Sequence, residues 1–301
     1  MQKLVEGIQK LKKERKAIIL AHNYQLPEVQ DIADYRGDSL ELSRIAAKAD
    51  ARVIVFCGVH FMAETASILS PDKIVIMPDK NAGCPMANMI TASDLRELKD
   101  RHPKAAVVAY VNTSAEVKAE VDICCTSTNA VAVVSSFKYA EEIIFVPDKY
   151  LADFVSKRTG RRLIAWDGYC PTHVKILPED IIRSIRQHPR AKVIVHPECT
   201  PEVIALADEA LSTGKTCEYV KKSEAKEFVI GTEVGLVYRL QQDNPGKKFY
   251  PASELAVCPN MKRTNLEKVL WSLEEMKDEV MVPEGIRKKA RKAIDAMLSI
   301  V

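Results

Sequence analysis

Three cysteines, each followed by proline, are the residues of this sequence best suited to bind a metal. They are Cys84, Cys170 and Cys258, and they lie 86 and 88 residues apart. A structural zinc site usually takes its four ligands from close pairs such as C-x-x-C, which this spacing does not provide. Three converging thiolates suit an iron–sulfur cluster with one open iron that acts as a Lewis acid on a substrate oxygen. A zinc site, or three buried cysteines of a structural repeat, are the alternatives.

A second set of polar residues repeats with the same period. Its first members, which precede the cysteines by 62, 60 and 62 residues, are His22, Tyr110 and His196. Two positions further along stand Tyr24, Asn112 and Glu198. A single histidine of this kind is more often structural than catalytic, but a shared repeat position indicates a common site. These side chains supply the proton donors and acceptors that enolisation and dehydration require.

Three further sets follow His22, Tyr110 and His196, which are called the anchors of the repeat. Seventeen positions after each anchor stands a hydroxyl residue: Ser39, Ser127 and Thr213. Either these residues cap helices, or three helix N-termini converge on one cavity and bind a ligand that carries carboxylates and a phosphate. Six positions after the anchors, in expected first helical turns, stand Glu28, Glu116 and Glu202. Twelve positions after them are three aspartates, interpreted as turn residues: Asp34, Asp122 and Asp208.

The elements that position these residues are strands alternating with helices. In the first copy, apolar runs at 17–21, 53–57 and 74–77 predict strands, and helical patterns separate them. Such alternation predicts parallel sheets with right-handed crossovers, whose ligands collect at the carboxyl ends of the strands. We therefore expect an α/β fold of three pseudo-threefold-related three-layer α/β/α units, each with a small parallel sheet, around a central active site. The predicted units are 1–86, 87–172 and 173–262, and helices within 263–301 are expected to pack on the first unit.

Composition places the chain among ordinary globular proteins. It is 47% apolar and 28% charged, with a net charge of +3. Acidic residues are interspersed with its basic ones, which argues against a nucleic-acid partner, and no apolar run approaches the roughly 20 residues of a membrane span. Without an export signal, we expect a cytoplasmic protein with reduced thiols. The cysteines outside the repeat, which are expected to be mostly buried and receive no role, are Cys57, Cys124, Cys125, Cys199 and Cys217.

The motifs, taken together, resemble those of bacterial and archaeal quinolinate synthases. The resemblance runs nearly end to end through AHNYQLPEVQDIADYRGDS, GCPMAN, AYVNTSAEVKAEVDICCTS, DGYCPTH, VIVHPEC, STGK, GTEVG and CPNMK. It implies a [4Fe-4S] cluster on Cys84, Cys170 and Cys258, with the fourth iron open. It also implies condensation of iminosuccinate with dihydroxyacetone phosphate, which releases phosphate and water and gives quinolinate for NAD biosynthesis.

The resemblance also assigns residues and partners. Catalytic roles fall to Tyr24, Tyr110, His196 and Glu198. Substrate-binding roles fall to His22, Ser39, Tyr110, Val111, Asn112, Ser127, His173, His196, Pro197, Glu198 and Thr213. An aspartate oxidase or dehydrogenase is the expected source of iminosuccinate. The alternatives are a cluster-dependent hydro-lyase that acts on another di- or tricarboxylate, and a non-enzymatic iron–sulfur redox protein.

Overall fold

Three parallel sheets of four strands form the framework of the protein. The structure is a computed structural model and describes residues 1–300. All three sheets share one strand order: the second strand of a unit lies at the edge, followed by the first, the third and the fourth. Every pairing within them is parallel. The predicted α/β fold of three small parallel sheets flanked by helices is confirmed.

The first sheet has central strands that are almost wholly buried. The elements of this unit are α1 (Gln2–Glu14), β1 (Ala17–His22), α2 (Pro27–Ile32), β2 (Tyr35–Gly37), α3 (Ser39–Lys48), β3 (Val53–Cys57), α4 (His60–Leu69) and β4 (Ile74–Ile76). β1 reads AIILAH and β3 reads VIVFC, which are the continuous apolar runs of strands covered by helices on both faces. The runs predicted at 17–21, 53–57 and 74–77 correspond to β1, β3 and β4.

The second and third units repeat this order. The second contains α5 (Ala92–Arg101), β5 (Ala106–Tyr110), α6 (Ala115–Lys118), β6 (Ile123–Cys125), α7 (Ala130–Ser136), β7 (Ile143–Val146), α8 (Lys149–Thr159) and β8 (Ile164–Ala165). The third contains α9 (Pro178–Gln187), β9 (Lys192–Val195), α10 (Pro201–Ala205), β10 (Glu209–Ala210), α11 (Thr213–Lys222), β11 (Glu227–Gly231), α12 (Gly235–Asp243) and β12 (Lys248–Pro251). Because β1, β5 and β9 occupy the same place in their sheets, His22, Tyr110 and His196 come to equivalent carboxyl ends.

Each sheet has a short edge strand, β2, β6 or β10, that the sequence did not predict. The repeated aspartates lie in the bends before these strands. Their carboxylates accept hydrogen bonds of 2.8 Å from backbone N–H groups of the neighbouring strand, in the pairs Asp34 with Ile19, Asp122 with Val107, and Asp208 with Val193. These aspartates therefore lock an edge strand to the centre of its sheet, a role beyond that of a turn residue.

The two C-terminal helices pack on different units. Helix α13 (Leu266–Glu275) lies on α1 and β3 of the first unit, where its apolar face shares a core with both elements. Helix α14 (Glu284–Ser299) lies against α6 and β6 of the second unit and also contacts α4 of the first. The expectation that both helices pack on the first unit therefore describes α13 but not the main contacts of α14. The three unit boundaries stay a prediction.

A short 3-10 helix follows each Cys-Pro pair. The three segments are Met86–Asn88, His173–Lys175 and Met261–Arg263. They bring the three cysteines to one cavity at the meeting point of the units. Within residues 1–300, none of the helices has the length and apolar character that crossing a membrane requires.

Candidate active site

One small cavity collects most of the residues that the sequence singled out. It has a volume of about 70 Å³. The predicted residues that line it are His22, Tyr24, Ser39, Cys84, Tyr110, Asn112, Cys170, His173, Glu198 and Cys258. Since these residues come from all three predicted units, the cavity is formed where the units meet. It is one site rather than three.

The other predicted residues lie behind or beside this cavity. The imidazole of His196 stacks on that of His173, with ring centroids 4.6 Å apart, and its Nε2 is 3.3 Å from the hydroxyl of Ser127. Thr213 accepts a hydrogen bond of 2.9 Å from the side chain of Asn23. Val111 and Pro197 are buried next to the anchors Tyr110 and His196. None of these five residues lines the cavity itself; His196 contacts the lining residue His173, and the roles of all five toward a substrate stay predictions.

The three cysteine sulfurs have matching surroundings. In each case the backbone N–H groups two and three positions further along hydrogen-bond the sulfur; for Cys84 these are Met86 and Ala87. The other two pairs of donors are Thr172 with His173, and Asn260 with Met261. The intervening proline has no N–H, and the 3-10 turn aims the next two amides at the sulfur. Such donors stabilise a thiolate, which is the form that binds metal.

The donor set fits a metal centre. All eight cysteines are free thiols. Burial raises the pKa of Cys84 to about 12, despite the two amide donors, and also raises the pKa values of Cys170 and Cys258. Without a cation, the three thiols would therefore stay protonated, whereas a bound metal removes their protons. A sulfur, a nitrogen and an oxygen of Cys170, His173 and Glu198 also lie within 4.8 Å of one another.

A hydrogen-bonded chain of side chains crosses the cavity wall. Tyr110 donates to Glu198 Oε1 over 2.5 Å, and Glu198 Oε2 lies 2.7 Å from Nδ1 of His173. Because a carboxylate only accepts, Nδ1 carries the hydrogen in this pair. The same nitrogen lies 3.1 Å from the sulfur of Cys170. Glu198 thus links a phenol to an imidazole that touches a candidate metal ligand.

Thr232 extends this chain to Tyr24. The Thr232 hydroxyl lies 2.8 Å from Nε2 of His173 and 2.6 Å from the hydroxyl of Tyr24. The direct distance from Tyr24 to His173 Nε2 is longer, 3.4 Å. Five side chains therefore form a continuous path along which a proton can move, in the order Tyr24, Thr232, His173, Glu198 and Tyr110. Thr232 has no role in the sequence-based prediction.

Hydrogen bonds fix the tautomer of both anchor histidines. Nδ1 of His22 accepts the backbone N–H of Tyr24 at 3.1 Å, and Nδ1 of His196 accepts that of Glu198 at 3.2 Å. A backbone N–H can only donate, so each neutral ring carries its hydrogen on Nε2. Burial lowers the pKa of His22 to about 3, helped by the neighbouring His196, and burial likewise lowers the pKa of His196 to about 3. Both rings are neutral N–H donors near neutral pH.

The ionisable side chains of this hydrogen-bonded path are held in opposite protonation states. Burial opposes the charge on Glu198, but His173 and His196, together with hydrogen bonds from His173 and Tyr110, outweigh it and hold its pKa below the ordinary range. Burial, reinforced by the charge of Glu198, raises the pKa values of Tyr24 and Tyr110 well above the ordinary range. The cavity therefore holds one carboxylate acceptor beside two protonated phenols.

The repeated hydroxyl residues are not themselves the helix caps. Asp38 caps α3 by accepting from the backbone N–H groups of Leu40 and Glu41, so Ser39 is the first helical residue. Ser212 similarly caps α11, and Thr213 follows it. Thr128, near the start of α7, hydrogen-bonds Asp38 at 2.8 Å and Ser212 at 2.7 Å. Polar groups at the starts of three helices, one from each unit, thus meet at one place.

An ion pair beside the cavity was missed by the sequence-based prediction. The buried carboxylate of Glu233 accepts the backbone N–H of Cys258 at 3.1 Å and lies 2.9 Å from Nζ of Lys262, which in turn donates to the carbonyl oxygen of Tyr24. This ion pair ties the third cysteine loop to the first unit.

Oδ1 of Asn112 is buried without a hydrogen-bond partner in the described residues, and Asn112 lines the cavity. An unpaired buried acceptor there suits a ligand that donates a hydrogen bond.

Comparisons with known proteins agree along the whole chain. A family model described as quinolinate synthetase A protein matches residues 6–299. A quinolinate synthase of Dehalococcoides mccartyi is 62% identical over 294 residues, which cover 98% of this chain and 97% of that protein. A quinolinate synthase of Thermodesulfovibrio yellowstonii is 55% identical over 302 residues, covering 100% and 99%. One of Methanosarcina barkeri is 55% identical over 297 residues, covering 99% and 97%.

Proposed function

Because this chain belongs to the quinolinate synthetase A family of enzymes, we propose that it condenses iminosuccinate with dihydroxyacetone phosphate to form quinolinate for NAD biosynthesis. The reaction releases one phosphate and two waters, and its atoms balance without an oxidant or a reductant. A functional link to an aspartate oxidase or dehydrogenase that supplies iminosuccinate is part of the proposal. The cytoplasmic location and the exclusion of nucleic-acid and membrane partners stay predictions from the sequence.

The observation that carries this proposal is the joining of three cysteine thiols and a proton-transfer path at one cavity. Cys84, Cys170 and Cys258 would hold a [4Fe-4S] cluster, since their matching backbone amide donors stabilise the thiolates that bind such a cluster. When bound through three cysteines, such a cluster supplies a Lewis acid at the iron that has no protein ligand. Side chains of the protein carry out the remaining chemistry.

The neutral donors of the cavity suit the anionic groups of both substrates. His22 carries its hydrogen on Nε2, and its Nδ1 is already occupied by a backbone N–H. Ser39 begins α3, where the helix N-terminus favours negative charge. In the proposal, these two groups bind carboxylate and phosphate oxygens, while Asn112 Oδ1 accepts a hydrogen bond from a donor group of the substrate. Burial makes each such hydrogen bond stronger than it would be in water, provided that the ligand fills the cavity.

The proton steps are assigned to Tyr24, at one end of the hydrogen-bonded path, and to Glu198 within it. Glu198 is the acceptor, because its carboxylate stays ionised, and Tyr24 is the donor, because its phenol stays protonated. In a condensation followed by loss of water, one group removes a proton from carbon and another protonates a departing oxygen. Thr232 and His173 connect the two groups, so a proton taken by Glu198 can be returned through Tyr24.

An anaerobic assay tests the proposal. The purified protein, reconstituted with iron and sulfide, is mixed with dihydroxyacetone phosphate and iminosuccinate generated in the same vessel. We expect quinolinate and inorganic phosphate in equal amounts. Dehydration of another di- or tricarboxylate, with no phosphate released from the triose phosphate, would favour the hydro-lyase instead. A cluster with four protein ligands that is indifferent to carboxylates would indicate a redox protein.

A further inference from the structure

One position of the internal repeat carries a buried polar side chain with no role in the proposed chemistry. It lies eight residues after each anchor and holds Gln30, Lys118 and Ile204 in the three units. Gln30 is 1% exposed and Lys118 is completely buried. Burying an ammonium group costs free energy unless its interactions compensate. The presence of Lys118 at this position therefore requires an explanation that Ile204, its apolar counterpart, does not.

Lys118 and Gln30 make the same hydrogen bond in their respective units. Nζ of Lys118 donates to the carbonyl oxygen of Thr113, and Nε2 of Gln30 donates to that of Gln25 at 2.9 Å. Thr113 and Gln25 both stand three residues after their anchors. In two of the three units, a buried donor on the following helix thus holds the turn that leaves the central strand.

These two turns carry cavity-lining residues. The turn held by Lys118 contains Tyr110 and Asn112, and that held by Gln30 contains His22 and Tyr24. Thr113 also closes its own turn, because its hydroxyl donates to the carbonyl oxygen of Tyr110 at 3.2 Å. A shift of Thr113 therefore passes directly to Tyr110, whose phenol contacts Glu198 at 2.5 Å.

The helix that carries Lys118 is itself fixed to the first unit. Oε2 of Glu64, on α4, accepts the backbone N–H of Ala115 at the start of α6, over 3.1 Å. Nζ of Lys118 lies 5.4 Å from the ring centroid of Phe61, which lines the cavity. Burial lowers the pKa of Lys118, while the charge of Glu64 opposes that effect. The ammonium group of Lys118 thus lies between Phe61 of the cavity wall and the turn that it supports.

We propose that Lys118 is a positioning residue that sets Tyr110 and Asn112 for the reaction through its hydrogen bond to Thr113. It does for the second unit what Gln30 does for the first. The inference rests on the proposed function for its kinetic consequences, but the ordering of the turn is a property of the folded chain alone.

The repeat itself supplies the test variants. Lys118→Gln introduces the residue of the first unit and keeps a donor without the charge, whereas Lys118→Ile introduces that of the third unit and removes the donor. Lys118→Met, which keeps more of the lysine's length, replaces the isoleucine variant if that variant does not fold. We expect Lys118→Gln to retain most of the wild-type kcat/KM. Loss of the donor should lower kcat/KM by about 10- to 100-fold, because misplaced catalytic groups cost rate of that order.

Hydrogen exchange gives a readout that needs no activity. The amide of Val111 donates to the carbonyl oxygen of Cys125 at 2.9 Å, within the turn segment, and that of His196 donates to Gly231 at 3.0 Å in the third unit. In Lys118→Ile, exchange at Val111 should accelerate while exchange at His196 stays as in the wild type. In Lys118→Gln, both amides should exchange as in the wild type. Iron content should be equal in all three proteins.

Two results would overturn the proposal. Wild-type kinetics and exchange in Lys118→Ile would show that the hydrogen bond positions nothing. Equal losses in Lys118→Gln and Lys118→Ile would show that the ammonium charge, rather than the donor, is what the site needs. If the wild-type protein forms no quinolinate, the proposed function fails, whereas the exchange rates at Val111 still decide whether Lys118 orders the turn.

Discussion

Removal of the Thr232 hydroxyl is the sharpest perturbation of the proton-transfer chain. Thr232 is buried, and its oxygen lies 2.6 Å from the Tyr24 hydroxyl and 2.8 Å from Nε2 of His173. Thr232→Val keeps the shape of the side chain and replaces the hydroxyl with a methyl group. Tyr24 and His173 are then separated by 3.4 Å, which exceeds the usual length of an O–H hydrogen bond.

The size of the effect follows from this geometry. A positioned acid or base typically contributes about 10²- to 10⁴-fold to a rate. Because a small movement can close the 3.4 Å gap, we expect the lower end of that range, a loss of about 10²-fold in kcat. KM should change little, since Thr232 does not line the cavity. Leaving buried polar partners unpaired should lower the free energy of unfolding by about 1–3 kcal/mol.

The assay is anaerobic quinolinate formation with matched iron content, and urea unfolding measures stability. Thr232→Ser is the control, because it keeps the hydroxyl and should retain most of the wild-type kcat. If Thr232→Val turns over at the wild-type rate with a full complement of iron, the chain does not carry the protons of the reaction. If Thr232→Ser is as impaired as Thr232→Val, the methyl group rather than the hydroxyl is what matters.

Three further predictions concern two cavity residues and one ion pair elsewhere in the protein. Tyr24→Phe should keep its iron but lose most turnover, measured by iron analysis and the quinolinate assay; full activity would remove Tyr24 as the donor. Cys170→Ala should lose the cluster absorbance, whereas Cys199→Ala, which changes a buried cysteine outside the repeat, should keep it. Burial opposes the charge on Asp79, but a hydrogen bond from Lys268 and nearby charges outweigh it and lower the pKa of Asp79. The resulting stability is present above about pH 4 and lost as pH falls further, so the deficit of Asp79→Asn in urea unfolding should shrink on acidification; a deficit that is constant with pH would contradict this assignment.

The repeat made much of the cavity predictable from the sequence. Cys84, Cys170 and Cys258 recur at a nearly constant distance after His22, and after its two counterparts, and all three cysteines line one cavity. In a parallel α/β unit, positions at equal distances from the same strand end come to equivalent places. When three copies surround one axis, these equivalent places come together. The periodicity of the sequence alone is therefore enough to indicate a shared site.

Residues outside the repeat could not be found in this way. The strand pairing aligns Thr232 with Gly58 and Pro147, neither of which has a polar side chain, so comparison of the units hides the threonine. Its position directly after the buried strand β11 was the available signal. The edge strand β2 has only three residues and ends in Gly37, too short for an apolar pattern to reveal. Its position depends on the tertiary bond between Asp34 and the neighbouring strand.

Lys118 and Glu233 were missed for a different reason. Charged residues are rarely buried, so a sequence pattern places them on the surface unless a partner is known. Here the partners are the carbonyl oxygen of Thr113 for Lys118, and Lys262 together with backbone amides for Glu233. These contacts exist only once the chain has folded, and neither periodicity nor composition encodes them.

The central claim is that three cysteines bind a cluster whose open iron meets the substrate. We would purify the protein without oxygen, count iron and sulfide, and record the EPR spectrum of the reduced protein with and without a dicarboxylate analogue of the substrate. The account predicts about four irons per chain and a signal that shifts when the analogue binds. Absence of iron after anaerobic reconstitution, or a full cluster whose signal ignores the analogue, would contradict it.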